Sequence, residues 1–428
     1  MIVSRDWAGK RYAVLGLARS GAATVSALLA GGARVVAWDS DANKRATFAL
    51  DDQLSIAPLD DLSGFDALVV SPGVPLNTHK LAAAARAAGV PIIGDIELFA
   101  QARRDLPSHR VVGITGTNGK STTTALVHHI LKTAGVPTLM GGNIGLPILG
   151  QAPLPEGGVY VLELSSYQID LTNGLDCDVA VLLNITPDHL DRYDGFAGYA
   201  ASKARLFAMQ SAGHVAVVGT GDEASANIAQ GLAGRTDDLV TIASDPIDQS
   251  RWPALQGPHN AQNARAAIAV ARALGIAEDA IEAGLASYAS LPHRMQHVAT
   301  RNGVAFVNDS KATNPESTAP ALGAFPRVHW IVGGKRKGDD LDACAQHLDH
   351  VVAAYTIGEA APLFFDLLKD KVPVVEQSGT LEAAVAHAAA AARPGDTVLL
   401  SPACASFDQF RDYEARGDAF RAAVEALA

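Results

Sequence analysis

Residues 113–124 read Gly113-Ile114-Thr115-Gly116-Thr117-Asn118-Gly119-Lys120-Ser121-Thr122-Thr123-Thr124. Arg110, Val111 and Val112 precede them, and Ala125, Leu126, Val127, His128, His129, Ile130 and Leu131 follow. The pattern is a short apolar strand, a glycine-rich turn and an amphipathic helix. Gly116 and Gly119 let the backbone turn with its N–H groups pointing inward, and the helix N-terminus adds positive potential, so the turn is a cradle for a polyphosphate. Lys120 reaches the terminal phosphates and the Ser121 hydroxyl can ligate Mg²⁺. The spacing departs from G-x-x-x-x-G-K-[ST] by one, because Gly113 lies six residues before Gly119 rather than five. The blander alternative is a loop that only turns a strand into a helix, but Gly-Lys-Ser at such a junction is rare by accident.

Working outward, a chain of 428 residues has room for two to four domains, and 48% hydrophobic residues supply large cores. The net charge of −11, with no basic run, argues against a nucleic-acid partner. Cys177, Cys344 and Cys404 are too widely spaced for a disulfide framework or a CxxC metal site. The opening Met1-Ile2-Val3-Ser4-Arg5-Asp6-Trp7 lacks an apolar leader, and no apolar run reaches the roughly 18 residues of a membrane span. A cytoplasmic protein with no membrane span is expected.

Strand-like and helix-like runs alternate nearly throughout, which predicts parallel α/β architecture. The first block runs to about residue 94, with strands at Arg11–Leu17, Arg34–Asp39 and Ala67–Val70 and a helix at Ser20–Ala30. The second opens near Ser108, carries strands at Val159–Leu162, Val179–Leu183 and Val215–Val218, and ends near Leu291-Pro292-His293-Arg294. The third opens on a hairpin about Arg301-Asn302-Gly303 and continues through strands at Val328–Val332, Val351–Ile357 and Thr397–Leu400.

Polar residues cluster at the ends of these strands, where open α/β sheets bind ligands. Gly16-Leu17-Ala18-Arg19-Ser20-Gly21, with Asp39 ending the next strand, suggests a nucleotide turn, but Ala18 replaces the glycine that a dinucleotide pyrophosphate requires. Glu163 ends an apolar strand, a natural place for a Mg²⁺ carboxylate or for a solvated one. His189, between Asp188 and Asp191, is either a metal ligand or structural. Lys203, on a helix expected over Phe196–Met209, reads as a solvated lysine, since a cation suits a second Mg²⁺ only as a carbamate. Asn260 and Asn263 share one helical face and can bond a base or phosphate, or Asn260 is an N-cap. In the third block, the strand ends carry Asn308-Asp309-Ser310-Lys311-Ala312-Thr313-Asn314, Gly333-Gly334-Lys335-Arg336-Lys337 and Ser401-Pro402-Ala403-Cys404-Ala405-Ser406. The Lys335–Lys337 cluster suits an anionic small molecule, and Cys404 reads as a small packing residue.

The chain resembles the Mur ligases of peptidoglycan synthesis along nearly its whole length. The carriers are Gly-Thr-Asn-Gly-Lys-Ser-Thr at 116–122, Gly-Gly-Asn-Ile-Gly at 141–145, Glu-Leu-Ser-Ser at 163–166 and Asp-His-Leu-Asp-Arg-Tyr at 188–193. His-Asn-x-x-Asn at 259–263, Pro-His-Arg at 292–294, Asn-Asp-Ser-Lys-Ala-Thr-Asn at 308–314 and Ser-Pro-Ala-Cys-Ala-Ser-Phe-Asp-Gln-Phe at 401–410 complete them. The resemblance implies three α/β domains: a Rossmann-like, UDP-binding domain over 1–94, a P-loop ATPase-like domain over 95–295 and a Rossmann-like, glutamate-binding domain over 296–428. It implies a monomeric, ATP-dependent amide ligase that adds D-glutamate to UDP-N-acetylmuramoyl-L-alanine through an acyl phosphate. An L-glutamate-adding relative and a nucleotide-gated binding protein stay open beside it.

The implied roles follow residue by residue. ATP sits on Gly116, Thr117, Asn118, Gly119, Lys120, Ser121 and Thr122, with Asn260, Asn263, Arg294 and Asp309 contributing. Lys120, Lys203, His189 and Lys311 are the catalytic group. Two Mg²⁺ ions (or Mn²⁺) are implied, one near Ser121 and Glu163, the other by His189 and Lys203, the lysine carbamylated by CO₂ as the Tyr199-x-x-x-Lys203 spacing suggests. Arg19, Ser20, Asp39, Ser71 and Gly73 face the uridine nucleotide, and Asn143 the muramoyl part. Thr313, Lys337, Ser406 and Tyr413 meet the glutamate, with Lys335 a rival to Lys337. Ser40 and Asp41 stand where the family often has a basic residue, and Tyr413 stands where it often has Phe.

Overall fold

A computed structural model describes residues 1–48, 52–188, 192–234, 238–243, 245, 247–336 and 338–427. They form two compact units, Met1–Ser244 with Gln262–Gly284, and Asp245–Ala261 with Leu285–Ala428. The first holds two sheets and the second holds one.

In the first sheet, β1 (Arg11–Leu15), β2 (Arg34–Trp38), β3 (Leu54–Ile56), β4 (Ala67–Val70) and β5 (Ile92–Ile93) lie in the order β3-β2-β1-β4-β5, all parallel. The order reverses between β1 and β4, which opens a crevice at their C-terminal ends. β1 stops at Leu15, short of the expected Leu17. Gly16 turns at φ +94°, and the Leu17 N–H leaves the ladder to bond Asp39 Oδ2 at 2.7 Å.

The second sheet contains β6 (His109–Thr115), β7 (Thr138–Gly142), β8 (Gly158–Glu163), β9 (Val179–Leu182), β10 (Val215–Gly219) and β11 (Leu239–Ile242) in the parallel order β11-β10-β9-β6-β8-β7. Strands β8 and β9 are buried along their whole length, as parallel strands covered on both faces must be. Sequence reading passed over β7, whose Thr-Leu-Met-Gly-Gly has weak strand propensity and is held by pairing with β8.

One continuous core joins these two sheets. The helix Asp95–Ala102 contributes Ile96, Leu98, Phe99 and Ala102 to it, and the Phe99 ring meets Tyr160 of β8 edge-on at 5.1 Å. Both sheets therefore belong to one unit although the sequence reads as two blocks.

Gly113 departs from its sequence reading. It lies inside β6, not in the phosphate loop, and a Cβ there would fall 2.7 Å from Cys177 Sγ. Its lack of a side chain is a packing requirement, so the irregular spacing disappears: the turn proper spans Gly116 to Gly119.

The second unit's sheet contains β12 (Gln296–Arg301), β13 (Val304–Asn308), β14 (Val328–Gly333), β15 (Val351–Ile357), β16 (Val375–Gly379) and β17 (Thr397–Leu400), ordered β12-β13-β17-β14-β15-β16. β12 and β13 form the expected antiparallel hairpin; the other pairings are parallel. Separate apolar cores cover its two faces, around Trp330 and Phe364 on one and Phe306 and Phe420 on the other.

Candidate functional site

The phosphate loop leaves β6 at Thr115 and enters the helix Lys120–Thr133 through Gly119, which caps it at φ +85°. Gly116 sits at φ +154°. A Cβ on Gly119 would lie 2.3 Å from Asn263 Oδ1, so glycine is required twice, by conformation and by space. The loop is braced from neighbouring strand ends. Asn184, just beyond β9, accepts from the Asn118 N–H at 2.9 Å and donates to its carbonyl at 3.2 Å. Gln262 accepts from Asn184 and donates to the Leu183 carbonyl. Thr117 Oγ1 bonds the Thr186 carbonyl and N–H and meets the Tyr199 hydroxyl at 3.3 Å. Asn263 accepts from Thr123 Oγ1 at 3.1 Å, so its amide supports the loop's helix.

Lys120 Nζ curls back onto the carbonyls of Gly116 and Thr117 at 2.9 and 2.8 Å. Lys203, on the helix Gly195–Ala208, donates to the same Gly116 carbonyl at 2.8 Å and is 1% exposed. Two amines thus meet at one oxygen. Burial first, and then the Lys120 charge, push Lys203 well below the usual lysine range, while Asp188 and Asp170 pull the other way. The lysine expected in solvent from its helix position is a buried amine whose charged form is disfavoured.

Glu163 ends β8, paired in register with Ile114 of β6, so the fold sets its carboxylate beside the strand that feeds the loop. It is 2% exposed; Oε1 accepts from Asn143 Nδ2 at 3.0 Å, and Oε2 is buried with no partner. A buried, unpartnered carboxylate oxygen is what a cation would satisfy. Among the described residues no group of three or more His, Cys, Asp or Glu side chains is gathered for a metal. One carboxylate and the Ser121 hydroxyl are the sparse donor set that suits Mg²⁺ when phosphates and water complete its shell. His189 and Lys337 lie outside the described residues.

At the crevice of the first sheet, Arg19 and Ser20 open the helix Arg19–Ala30, whose N-cap position is held by Ala18 with no side-chain cap. Ser71 and Gly73 follow β4, and Ser71 Oγ bonds the Gly16 carbonyl at 3.3 Å. Asp39 has a different part. Its oxygens accept from the Leu17 and Asp41 N–H groups, and Lys44 lies 3.6 Å away. Burial acts to raise its pKa, but these bonds and Lys44 outweigh it and hold the carboxyl below the usual range. Asp39 therefore shapes the turn that carries Arg19 and Ser20. Asp41 caps the short helix Ala42–Arg45.

In the second unit the strand-end loops converge. Asp309, after β13, accepts from Ser401 Oγ at 2.9 Å and the Met295 N–H at 3.1 Å. His293 and Met295 flank Arg294 with φ of 62° and 46°, a strain on the order of 1 kcal/mol each. Gly417 makes room: a Cβ there would lie 2.0 Å from His293 Nδ1. Lys311 Nζ sits 3.7 Å over the Tyr413 ring, so Tyr413 is engaged with the lysine. Thr313 ends the same loop, Ser406 is 2% exposed, and Lys335 pairs its backbone with Ala405 at 2.8 and 3.0 Å, which sets it beside Ser406. Cys404 is buried, as a packing residue would be. Asn260 is not an N-cap. It is the third residue of the helix Pro258–Ala273, donates to the Gln256 carbonyl, and lines a cavity of about 550 Å³ with Met295, Val307 and Phe325.

Sequence reading missed Arg416. It is 1% exposed, and its guanidinium donates to Ser310 Oγ and to the carbonyls of Ser310, Cys404, Ala405 and Gly333, joining all three loops. The one available signal was Gly417 beside it, a glycine inside a helix.

Burial pushes Asp309 up to about 7, against the bonds from Ser401 and Met295 and the Arg294 charge. A carboxyl raised this way favours the fold below its unfolded pKa, and that contribution is lost as pH rises through about 7. Asp309→Asn should therefore be relatively more stable than the parent at pH 8 than at pH 4. Denaturant midpoints at the two pH values check this; a gap that does not widen with pH would contradict it.

Three family models match in sequence order: "Mur ligase MurD-like, N-terminal domain" over residues 10–94, "Mur ligase middle domain" over 114–252 and "Mur ligase, glutamate ligase domain" over 293–404. The UDP-N-acetylmuramoylalanine--D-glutamate ligase of Novosphingobium aromaticivorans is 66% identical, covering 100% of this chain and 97% of its own. The protein of the same name from Sphingopyxis alaskensis is 63% identical, with 100% of both chains covered. Among solved structures, the UDP-N-acetylmuramate-alanine ligase MurC of Thermotoga maritima shares the fold, with a TM-score of 0.61 at 16% identity over 97% of this chain and 99% of that one. Likeness of this extent, over every sheet and from end to end, means that the chain belongs to the Mur ligase family.

Proposed function

We propose that this protein is the ATP-dependent ligase that joins D-glutamate to UDP-N-acetylmuramoyl-L-alanine in peptidoglycan precursor synthesis. The observation that carries the ligase reading is the braced phosphate loop with two lysines, Lys120 and Lys203, converging on the Gly116 carbonyl. The names of relatives with high identity over the full chain support the choice of substrates.

A carboxylate does not condense with an amine in neutral water without activation. In the proposed course the alanyl carboxylate attacks the γ-phosphate of ATP, giving an acyl phosphate and ADP. The glutamate amine then attacks the acyl carbon, and phosphate leaves. Lys120, released from its own loop's carbonyls, neutralises charge that develops on the transferred phosphoryl group, and the loop N–H groups hold it in line. Bound Mg²⁺ or Mn²⁺ would supply further charge neutralisation. Ser121 and Glu163 would hold one ion, and His189 and Lys203 the other.

Burial and the Lys120 charge ease loss of the Lys203 proton, which frees the lone pair that carbamylation by CO₂ requires, and the carbamate would turn it into an anionic ligand. Asn263, Arg294 and Asp309 are assigned to the nucleotide, and the cavity beside Asn260 has the size and apolar lining for its base. Arg19, Ser20, Ser71 and Gly73 are assigned to the uridine nucleotide, with Asp39 acting through the turn, and Asn143 to the muramoyl part. Thr313, Lys337 and Ser406 are assigned to the glutamate, with Lys311 and Tyr413 as a pair beside them. The domain boundaries are placed at 1–94, 95–295 and 296–428, and the protein acts as a cytoplasmic monomer. Among the described residues no helix is long and apolar enough to cross a membrane.

Phosphate release from ATP and UDP-N-acetylmuramoyl-L-alanine, compared with D-glutamate, L-glutamate and meso-diaminopimelate, tests the reading. Turnover with D-glutamate alone is expected; none with D-glutamate would sink it.

A further inference from the structure

Arg192 has no part in the roles assigned above, yet it touches the first sheet's ligand loop and heads a row of rings that reaches the phosphate loop. Its guanidinium donates to the Val74 carbonyl at 2.9 Å, in the turn that carries Ser71 and Gly73. The same group lies 4.3 Å over the Tyr167 ring. Tyr167 stacks on Tyr193 at 5.9 Å with the rings 9° from parallel, and Tyr193 leans on Tyr199 at 5.4 Å. The Tyr199 hydroxyl meets Thr117 of the phosphate loop, and its ring lies under Lys203 Nζ at 4.7 Å. Tyr193 is pinned sideways by its hydroxyl, which donates to Asp170 at 3.0 Å. The result is a row of three rings, with the Arg192 guanidinium at one end and the Lys203 amine at the other.

We propose that Arg192 is a positioning residue that sets the uridine-nucleotide loop in register with the phosphate loop, acting through this row of rings. The proposal rests on the functional reading above. In-line attack needs the carboxylate and the γ-phosphate within about 3.5 Å, so small displacements of one loop against the other cost rate steeply. A planar, charged group that stacks and donates at once suits this task; lysine can donate but stacks poorly.

Arg192→Met keeps the stem and removes the charge and donors. Losing a charged hydrogen bond and a cation–π contact should raise KM for UDP-N-acetylmuramoyl-L-alanine about tenfold or more and lower kcat. KM for D-glutamate and the melting temperature should hold, and Arg192→Lys should recover part of the loss. Calorimetric affinity for the UDP substrate should weaken in parallel. Parent-level constants in Arg192→Met would overturn the proposal, as would a loss shared equally by every substrate and tracking a lower melting temperature. Absence of turnover in the parent enzyme is a separate result, and it would count against the functional reading itself.

Discussion

Lys203→Ala should lose turnover by on the order of 10²–10³-fold while the fold persists. Persistence is expected because the parent already bears the cost of a buried amine whose charge is disfavoured by burial and by Lys120. Alanine removes that cost and leaves Gly116 held by Lys120. Under the proposed role turnover falls, because the position would supply an anionic ligand only after carbamylation. Two further results separate this from simple loss of packing. Short carboxylates should partly restore activity to Lys203→Ala, and parent activity should fall when CO₂ and bicarbonate are stripped from the buffer. Full activity in the alanine variant would refute the role, and so would a loss that no carboxylate repairs in an enzyme indifferent to bicarbonate.

Arg416→Met should have the largest effect on stability. The parent guanidinium satisfies Ser310 Oγ and four buried carbonyls at once. Methionine fills much of the space but donates nothing, which leaves buried acceptors unpaired. At about 1–3 kcal/mol for each unsatisfied group, partly relieved by water, a loss on the order of 4 kcal/mol is expected. The loss should be local to the second unit, whose core holds the fully buried Trp330, bonded to the Ser401 carbonyl. Calorimetry should show a second-unit transition moved well down in temperature, with the first-unit transition in place. An unchanged thermogram would contradict the assignment.

Local features of the fold were legible because local chemistry makes them. The Gly116–Lys120 turn, the Asn302-Gly303 hairpin and the polar strand ends are each determined within a few residues. What escaped depends on distant partners. Gly113 looked like a loop residue until Cys177 was found against it. Asn184 follows an apolar strand, but its partner Asn118 is 66 positions away. Asp39 had the position of a nucleotide ligand, and only the turn geometry shows its oxygens accepting from backbone N–H groups. Arg416 escaped because the fold, not the local sequence, brings the three loops it joins to its guanidinium, and Gly417 alone hinted at close packing there. Lys203 was misread from its residues for the same reason, and family resemblance supplied what the pattern of its own helix did not.

In the proposed course this site activates a carboxylate by phosphorylation before an amine attacks it. Isotope transfer follows that step. UDP-N-acetylmuramoyl-L-alanine labelled with ¹⁸O in both oxygens of its alanyl carboxylate, turned over with ATP and D-glutamate, should release phosphate carrying one ¹⁸O and leave the other in the new amide. Unlabelled phosphate released together with the amide product would rule out the acyl phosphate.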